Sequence, residues 1–391
     1  MFAKAVFLSR FVPWPSDTGA LLYTALLCRL VAEISDETVL VAAENPFGDQ
    51  AAARGITIAA ERVAWPAGKA SALRYLLSGL PFSAHPFDKP ELRQLARDAL
   101  VGADLVLLDH IGAAWALDVA LSAAKKGARL VYIAHNVEAD TRRTAISAGG
   151  LRGLFARFDA RRIEVTERRL LRESDLVVCV SSEDRDRFRE LGAEADLVVV
   201  NPIHSGDSHF VQLDEQTPHR VVLVGSFHWR AKQQNLLRFL ETRCTVAAAS
   251  TIAVRVVGSM PEPFLHTLSA RFPDVEVTGR VERVEDHLQG CRIGVIPEEE
   301  GGGFKLKALD YAYAGLPIFG LNQGVRGLPL QDRESMRAFE TMTELWQGII
   351  AHIDDLTGLD ALRHKALAAF ESNADIGHLR ETLAHMLTAD S

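Results

Sequence analysis

Three consecutive glycines, followed closely by two lysines, lie in the stretch EEEGGGFKLKALD at residues 298–310. A short apolar run precedes this stretch, and residues 304–314 have the composition of a helix. The pattern predicts a strand, a glycine loop and a helix, with Lys305 and Lys307 in the first helical turn. Free backbone N–H groups and the positive end of a helix dipole bind anions in such a loop. A phosphate is the expected ligand, and the alternative is a flexible turn beside a solvated face.

A second glycine loop with cationic side chains occurs earlier, in the sequence GSFHWRAKQQN that begins at Gly225. It follows a predicted strand at 220–224 and precedes a predicted helix at 235–240. Arg230 and Lys232 in this loop would bind oxygen atoms of an anion. The sequence therefore predicts two anion-binding loops in the same half of the chain.

Two predicted strands of the first half each end in a histidine, His110 after one and His135 after the other. Asn136 and Glu138 follow the second. A single histidine at a strand end is more often structural, but the carboxyl ends of parallel strands meet at the edge where ligands bind. The repetition favours a functional role for His135.

The first predicted strand, at residues 3–8, ends in the loop PWPSDTGA, and a helix and another strand follow. Asp17 and Gly19 of this loop are therefore candidates for ligand contact at the carboxyl edge of a sheet. The alternative role for Asp17 is to cap the helix that follows.

A basic segment at 141–172 contains nine arginines and three acidic residues. An amphipathic helix of this kind could rest against anionic lipid headgroups or an anionic acceptor. The alternative is a solvated helix with internal ion pairs. The triplet Asp184-Arg185-Asp186 mimics a metal-binding motif but falls inside a predicted amphipathic helix, so we interpret it as surface and expect no metal site.

The chain has 391 residues, 48% of them hydrophobic, which suits two globular domains. Strands and helices alternate in both halves, with a polar stretch between them. We predict an α/β fold of two Rossmann-like, doubly wound domains that face across a cleft. The predicted boundaries are 1–203 for the first domain, 204–219 for a linker and 220–372 for the second domain, with a C-terminal helix at 373–391 as a candidate to cross back to the first domain.

Charge and cysteine content exclude several classes of protein. The net charge of −8 argues against general nucleic-acid binding. The four cysteines are far apart and mostly lie in apolar runs, so we expect reduced core thiols and no zinc site. No leader peptide and no membrane-spanning stretch is apparent, which predicts a cytoplasmic protein, with peripheral membrane contact through 141–172 as an option.

Three stretches of the chain, GSFHWRAKQQNLLRFL, SDLVVCVSSEDRDRF and GGGFKLKALDYAYAGLP, together resemble the GT-B fold glycosyltransferases of the retaining family 4 type. The sequence HNVE at His135 supports the resemblance, which covers nearly the whole chain. It implies a nucleotide-diphosphate sugar as donor, retention of configuration, and no metal or other cofactor.

The resemblance also implies roles for individual residues. Asp310 takes the place of a glutamate that binds the ribose hydroxyls, and His135 that of a histidine that contacts the transferred sugar. Gly302 stands where most of the family has the first of two glutamates, as in a subgroup with GGG at this point, and Glu300 lies nearby as a candidate to replace that glutamate. The remaining donor-binding positions are Gly19, Gly225, Arg230, Lys232, Gly303, Leu306 and Lys307.

The implied activity is transfer of a sugar to an acceptor hydroxyl in the synthesis of a cell-envelope glycan, a lipid-linked glycan or a glycoconjugate. A small-molecule acceptor stays open. The sugar or the acceptor would be contacted by His110, Asn136 and Glu138. Two alternatives are a nucleotide-sugar 2-epimerase, which shares the two-domain fold, and a non-catalytic nucleotide-sugar-binding subunit.

Overall fold

The computed structural model describes residues 2–14, 19–44, 55–63, 69–144, 150–204, 208–299, 304–373, 377, 380–382 and 385. The chain forms two compact units. Unit 1 comprises Met1–Asn201 and Asp375–Ser391, and unit 2 comprises Pro202–Ala374. Each unit is an α/β structure with its own sheet.

Unit 1 contains a seven-stranded parallel sheet in the order β3-β2-β1-β4-β5-β6-β7. Its central strands are continuous apolar runs because helices cover both faces. The order reverses between β1 and β4, which opens a crevice at the carboxyl ends of these strands. The strands are β1 Phe2–Phe11, β2 Ser35–Ala43, β3 Thr57–Glu61, β4 Leu105–Asp109, β5 Arg129–Ile133, β6 Leu176–Cys179 and β7 Asp196–Val199.

Helices pack around this sheet in the described part of unit 1. They are α1 Gly19–Ala32, α2 Lys69–Ser78, α3 Pro90–Ala99, α4 Leu117–Ala124, α5 Glu138–Thr144, α6 Gly150–Glu173 and α7 Ser182–Glu190. Short 3-10 helices occupy His85–Phe87 and Ile111–Ala116. The described residues of the predicted basic segment at 141–172 belong to the end of α5 and to the long helix α6.

Unit 2 contains a six-stranded parallel sheet in the order β10-β9-β8-β11-β12-β13. Here the order reverses between β8 and β11, so the loops that follow these two strands flank the crevice. The strands are β8 Arg220–Val224, β9 Ala253–Val257, β10 Glu276–Val277, β11 Ile293–Ile296, β12 Ile318–Leu321 and β13 Arg337–Phe339.

The helices of unit 2 are α8 Arg230–Thr245, α9 Glu262–Arg271, α10 Lys307–Tyr313, α11 Asn322–Val325, α12 Met342–His352 and α13 Leu356–Asn373. On one face of the sheet, Trp346 stacks on Phe239 at 4.5 Å. On the other face, the hydroxyl of Tyr311 accepts a hydrogen bond from Val224 N at 2.8 Å. This contact ties helix α10 to the central strand β8.

Residues 208–219 lie in the predicted linker and hydrogen-bond within unit 2. His209 N donates to Tyr313 O at 2.9 Å, and Val211 N donates to Ala314 O at 2.8 Å. The described residues near the C-terminus belong to unit 1, where Arg380 forms an ion pair with Glu33.

Candidate functional site

A buried carboxylate at the end of β4 organises the carboxyl edge of unit 1. Asp109 Oδ1 lies 2.7 Å from His135 Nε2, while its Oδ2 accepts hydrogen bonds from Ser9 Oγ at 2.7 Å and Thr24 Oγ1 at 2.8 Å. Burial alone would raise the pKa of Asp109, but His135 and the two hydroxyls hold it below its ordinary value. The group is therefore an ionised acceptor at neutral pH.

The predicted catalytic residue His135 is fixed by this carboxylate. Because an ionised carboxylate only accepts, Nε2 carries a hydrogen, and Nδ1 is an acceptor in the neutral form of the ring. The ring packs edge-on against Tyr23 at 5.3 Å and against His110 at 5.2 Å. Within the described part of the chain, Nδ1 has no hydrogen-bond partner, so it can accept a hydroxyl hydrogen from a ligand.

His110 lies beside His135 in a strained backbone conformation, with φ at 66°. Its Nδ1 accepts from Gly112 N at 2.8 Å, so Nε2 must donate to Glu138 Oε1 at 3.1 Å. Burial, then Arg10, lowers the pKa of His110 to about 4. A Cβ atom at Gly112 would lie 2.1 Å from Arg10 Cδ, which explains the glycine there.

Glu138 is the ionised partner of this neutral histidine. Burial would raise its pKa, but His110 first, then Asn136 and Arg10, lower the pKa of Glu138 to about 2. The Asn136 side-chain amide donates to Glu138 Oε1 at 3.4 Å. The structure thus brings the four predicted residues His110, His135, Asn136 and Glu138 together at one edge of the sheet.

Helix α6 supplies a second buried carboxylate, which caps α5. Glu167 Oε1 accepts from Glu138 N at 2.8 Å, and its Oε2 accepts from Ala139 N at 3.1 Å. Glu167 is 1% exposed, and burial raises the pKa of its carboxyl to about 8. The contact fixes the start of α5 and thereby the position of the Glu138 side chain.

Of the two loop residues predicted beside β1, Gly19 is the first residue of α1, and Asp17 lies outside the described residues. The predicted donor-site residues Glu300, Gly302 and Gly303 also lie outside them.

In unit 2, Gly225 lies at the carboxyl end of β8, where Gly225 N donates to Val257 O at 3.0 Å. Gly258, after β9, approaches so closely that a Cβ atom there would lie 1.8 Å from Gly225 O, and its φ of 134° suits only glycine. The two strand ends therefore form one compact backbone cradle.

Helix α8 begins at Arg230, whereas the sequence predicted a loop up to residue 234 and a helix over 235–240. Residues 230–234 are good helix formers, and a five-residue loop suffices after β8. Arg230 and Lys232 thus lie in the first turn of α8, and Arg230 is exposed to solvent. Among the described contacts, none joins Arg230 to the other predicted donor-site residues.

Helix α10 begins at Lys307, and Lys305 precedes it, so the prediction of a helix from 304 was wrong. Ala308 N bonds to Lys305 O and Leu309 N to Leu306 O, both at 2.8 Å, which makes a tight 3-10 turn at the start. Leu306 is the N-cap residue and is half-buried.

Lys307 forms an ion pair with Glu298, which the sequence analysis did not select. The exposed fractions of the two side chains are 13% and 8%. Glu298 Oε2 is buried without a hydrogen-bond partner among the described residues. Nearby, desolvation and then repulsion by Lys307 lower the pKa of Lys232. Two cations from the first turns of the helices that follow β8 and β11 therefore lie close enough to repel each other.

Asp310 lies one turn along α10 from this pair. Burial raises the pKa of its carboxyl to about 6, against the opposing effects of His204 and Lys307. The structure thus brings Lys232, Lys307 and Asp310 into one electrostatic neighbourhood, with Glu298 as a fourth member.

In the part of the chain that the structure describes, no three His, Cys, Asp or Glu side chains converge as they would around a metal ion. No described helix is long and apolar enough to span a membrane.

Two parallel-sheet α/β units with polar residues at the point where the strand order reverses are the architecture of the GT-B fold. A family model described as Glycosyltransferase Family 4 matches residues 23–204, and one described as Glycosyl transferases group 1 matches residues 218–355. Together they cover most of both units. The protein is therefore a glycosyltransferase with the GT-B fold, as the sequence predicted.

Solved structures agree with this fold. HepE from Anabaena, in complex with UDP-glucose, is 15% identical, with a TM-score of 0.67 and complete coverage of both chains. Sucrose-phosphate synthase from Thermosynechococcus elongatus is 14% identical, with a TM-score of 0.73 and 99% coverage of each chain. The lipopolysaccharide outer core galactosyltransferase WaaB is 14% identical, with a TM-score of 0.63, covering 98% of this chain and 99% of its own. Among curated protein sequences, none matches significantly.

Proposed function

We propose that the protein transfers a sugar from a nucleoside-diphosphate sugar to an acceptor hydroxyl with retention of configuration. The observation that carries this proposal is the pair of cations Lys232 and Lys307 beside the crevice between β8 and β11. Their mutual repulsion is relieved when an anion lies between them. A UDP-sugar is the donor we favour, since HepE, with the same fold, has been solved with UDP-glucose.

The chemistry follows from where charge develops. As the bond from the anomeric carbon to the diphosphate oxygen breaks, negative charge grows on that oxygen, and fixed cations stabilise it. The acceptor oxygen forms the new bond on the same face of the sugar, and its proton passes to the departing phosphate oxygen. Lys232 and Lys307 would take the place of a divalent metal. Asp310 would accept hydrogen bonds from the ribose hydroxyls.

In unit 1, His135 would contact the transferred sugar through Nδ1. Asp109 holds the imidazole in the tautomer that leaves this nitrogen as an acceptor. A sugar hydroxyl that donates to Nδ1 fixes the ring orientation without a proton being removed. Glu138 would bind further hydroxyl groups of sugar or acceptor, and His110, whose two ring nitrogens are both engaged, would hold Glu138 in position.

We propose a lipid-linked or cell-envelope glycan as the acceptor. The fold shared with WaaB, a lipopolysaccharide galactosyltransferase, supports this choice.

The test is incubation with a panel of UDP-, GDP- and ADP-sugars, with and without lipid-linked and small-molecule acceptors. We expect nucleotide release that requires an acceptor, and NMR of the product should show the donor's anomeric configuration. Isomerised sugar nucleotide without an acceptor would instead establish an epimerase. Binding without any turnover across the panel would indicate a non-catalytic subunit.

A further inference from the structure

Unit 1 has a concentrated patch of exposed apolar side chains on two helices. Among the described residues, eleven large apolar side chains are exposed, and eight of them lie on α2, in the turn after it, or on α6. On α2 they include Leu73, Leu76 and Leu77, the last 78% exposed. Single exposed apolar side chains are ordinary on a protein surface, but a contiguous group marks an interaction site. We refer to this group as the α2–α6 patch.

The patch is held in place by contacts beneath it. Tyr75 of α2 packs against Phe82 at 5.7 Å and Phe155 at 5.4 Å, and its hydroxyl donates to the buried Asp159 at 2.9 Å. Arg162 of α6 lies over the Tyr75 ring at 4.7 Å.

The guanidinium of Arg162 also fastens the end of α2. It donates to the carbonyl oxygens of Tyr75 and Leu76, both at 2.7 Å. These carbonyls lie in the last turn of α2, where intrahelical donors run out. The exposed leucines are therefore presented on a fixed helix, not on a loose loop.

Cations alternate with apolar residues on the exposed face of α6. Successive helical residues are about 100° apart, so Leu154, Arg157, Phe158, Arg161 and Val165 fall within about 100° of one another around the helix. Each of the five is exposed. A groove of about 500 Å³ runs along this face, and its described lining includes four arginines and one acidic side chain, Glu164.

The arginines of this face differ in their partners. Arg143 and Arg168 both pair with Glu164, at 3.0 and 3.4 Å. Arg157 and Arg161 have no ion pair or hydrogen bond among the described contacts. An unpaired cationic surface stands out in a chain whose net charge is −8. The positive charge of Arg157 and Arg161 also opposes self-association through the patch, because two copies would bring the same arginines together.

We propose that the α2–α6 patch docks on an anionic lipid bilayer. Leucine and phenylalanine side chains would enter the boundary between headgroups and acyl chains, while Arg157 and Arg161 bind lipid phosphates. This arrangement of apolar and basic side chains on one helical face is that of an interfacial helix. The patch includes α2 as much as the basic segment, and it does not depend on the identity of the sugar donor.

The experiment is co-sedimentation of the full chain with vesicles of phosphatidylcholine alone, or of equal parts phosphatidylcholine and phosphatidylglycerol. We expect binding to the anionic vesicles only, weakened by added salt. The double variant Arg157→Glu/Arg161→Glu should bind at least roughly 25-fold more weakly, about fivefold for each arginine lost. Leu73→Gln/Leu77→Gln should also lose binding, since it removes the inserting side chains.

Matched controls separate this effect from general changes in charge or hydrophobicity. Arg185→Glu/Arg189→Glu makes the same charge change with the same spacing on α7, and Val101→Gln removes an exposed apolar side chain elsewhere in unit 1. Both should bind like the native chain. Circular dichroism should confirm that all variants are folded.

Three results would overturn the proposal. One is absence of binding to anionic vesicles by the native chain. Another is equal binding by the patch variants and the controls. The third is a dimer in light scattering that Leu73→Gln/Leu77→Gln dissociates, which would assign the patch to a second copy. None of these measurements uses a sugar donor, so they stand apart from the outcome of the transferase assay.

Discussion

The ion pair between Lys307 and Glu298 gives the sharpest test of the donor site. Loss of Lys307 alone and loss of both charges should have different effects on stability and on donor binding. Lys307 is expected both to neutralise Glu298 and to bind the donor diphosphate. Glu298 is expected to hold Lys307 and has no cation other than Lys307 paired with it in the described structure. Lys307→Met therefore removes a ligand contact and leaves a buried carboxylate unpaired. The double variant Lys307→Met/Glu298→Gln removes the contact without leaving that charge.

The magnitudes differ for stability and binding. Both side chains are largely buried, with 13% and 8% exposure. Removal of one partner from a buried pair costs about 3–5 kcal/mol of folding free energy, while replacing both by neutral groups is often close to neutral. A hydrogen bond to a charged group contributes about 1.5–3 kcal/mol, so either variant should bind UDP roughly 10- to 100-fold more weakly.

The assays are urea unfolding for stability and titration calorimetry with UDP for affinity. Lys307→Met should lower both quantities, whereas the double variant should recover most of the stability and none of the affinity. The control is Arg271→Met, which breaks an exposed ion pair with Glu241 in the same unit. It should change stability by less than about 1 kcal/mol and leave UDP affinity unchanged.

Native UDP affinity in both Lys307 variants would refute the role of Lys307 in diphosphate binding. A double variant no more stable than Lys307→Met would refute the argument that the pair is mutually compensating. The two conclusions are independent, since one rests on calorimetry and the other on unfolding.

Three further predictions concern the carboxylates and the proposed independence of the reaction from metal ions. Since the pKa of Asp310 is raised to about 6, donor affinity that uses its ionised form should rise as the pH increases through 6 and then level off. Asp310→Asn should flatten that profile in calorimetry on either side of this pH. Asp109→Asn should lower turnover about 10- to 100-fold with UDP affinity unchanged, because His135 loses its fixed tautomer and orientation; equal turnover would contradict its positioning role. Activity measured as nucleotide release should persist with EDTA, and a loss that Mn²⁺ restores would show that a metal is required.

Much of the architecture could be predicted from the sequence. Apolar runs alternating with helical patterns indicated two doubly wound units, and histidines after two such runs pointed to His110 and His135. The partners of these residues could not be predicted, because they depend on which strands become neighbours. Asp109 and Ser9 are 100 positions apart and meet only because β1 and β4 pair. The available signal for Asp109 was its position directly before His110 at the end of a predicted strand.

In unit 2, side-chain partners could not be predicted from the sequence even where they lie only a few residues apart. Glu298 is the first of three consecutive glutamates, and the sequence does not show which of them turns inward. The late start of α10 and the early start of α8 depend on loop lengths that close around packed strand ends. Side chains that are candidates through their own chemistry, such as Lys307, can therefore be selected from the sequence more easily than residues that matter through a pairing.

Helix α6 physically connects the surface of unit 1 to a buried contact in its interior. Its exposed face includes Phe158, and its second half carries Glu167, which fixes the start of α5. The two positions are about 14 Å apart along a single rigid helix, at 1.5 Å per residue. Any force that tilts or shifts α6 is therefore transmitted to the backbone of Glu138 and Ala139. Hydrogen exchange at these two amides would thus report, from the interior of unit 1, on what happens at its surface.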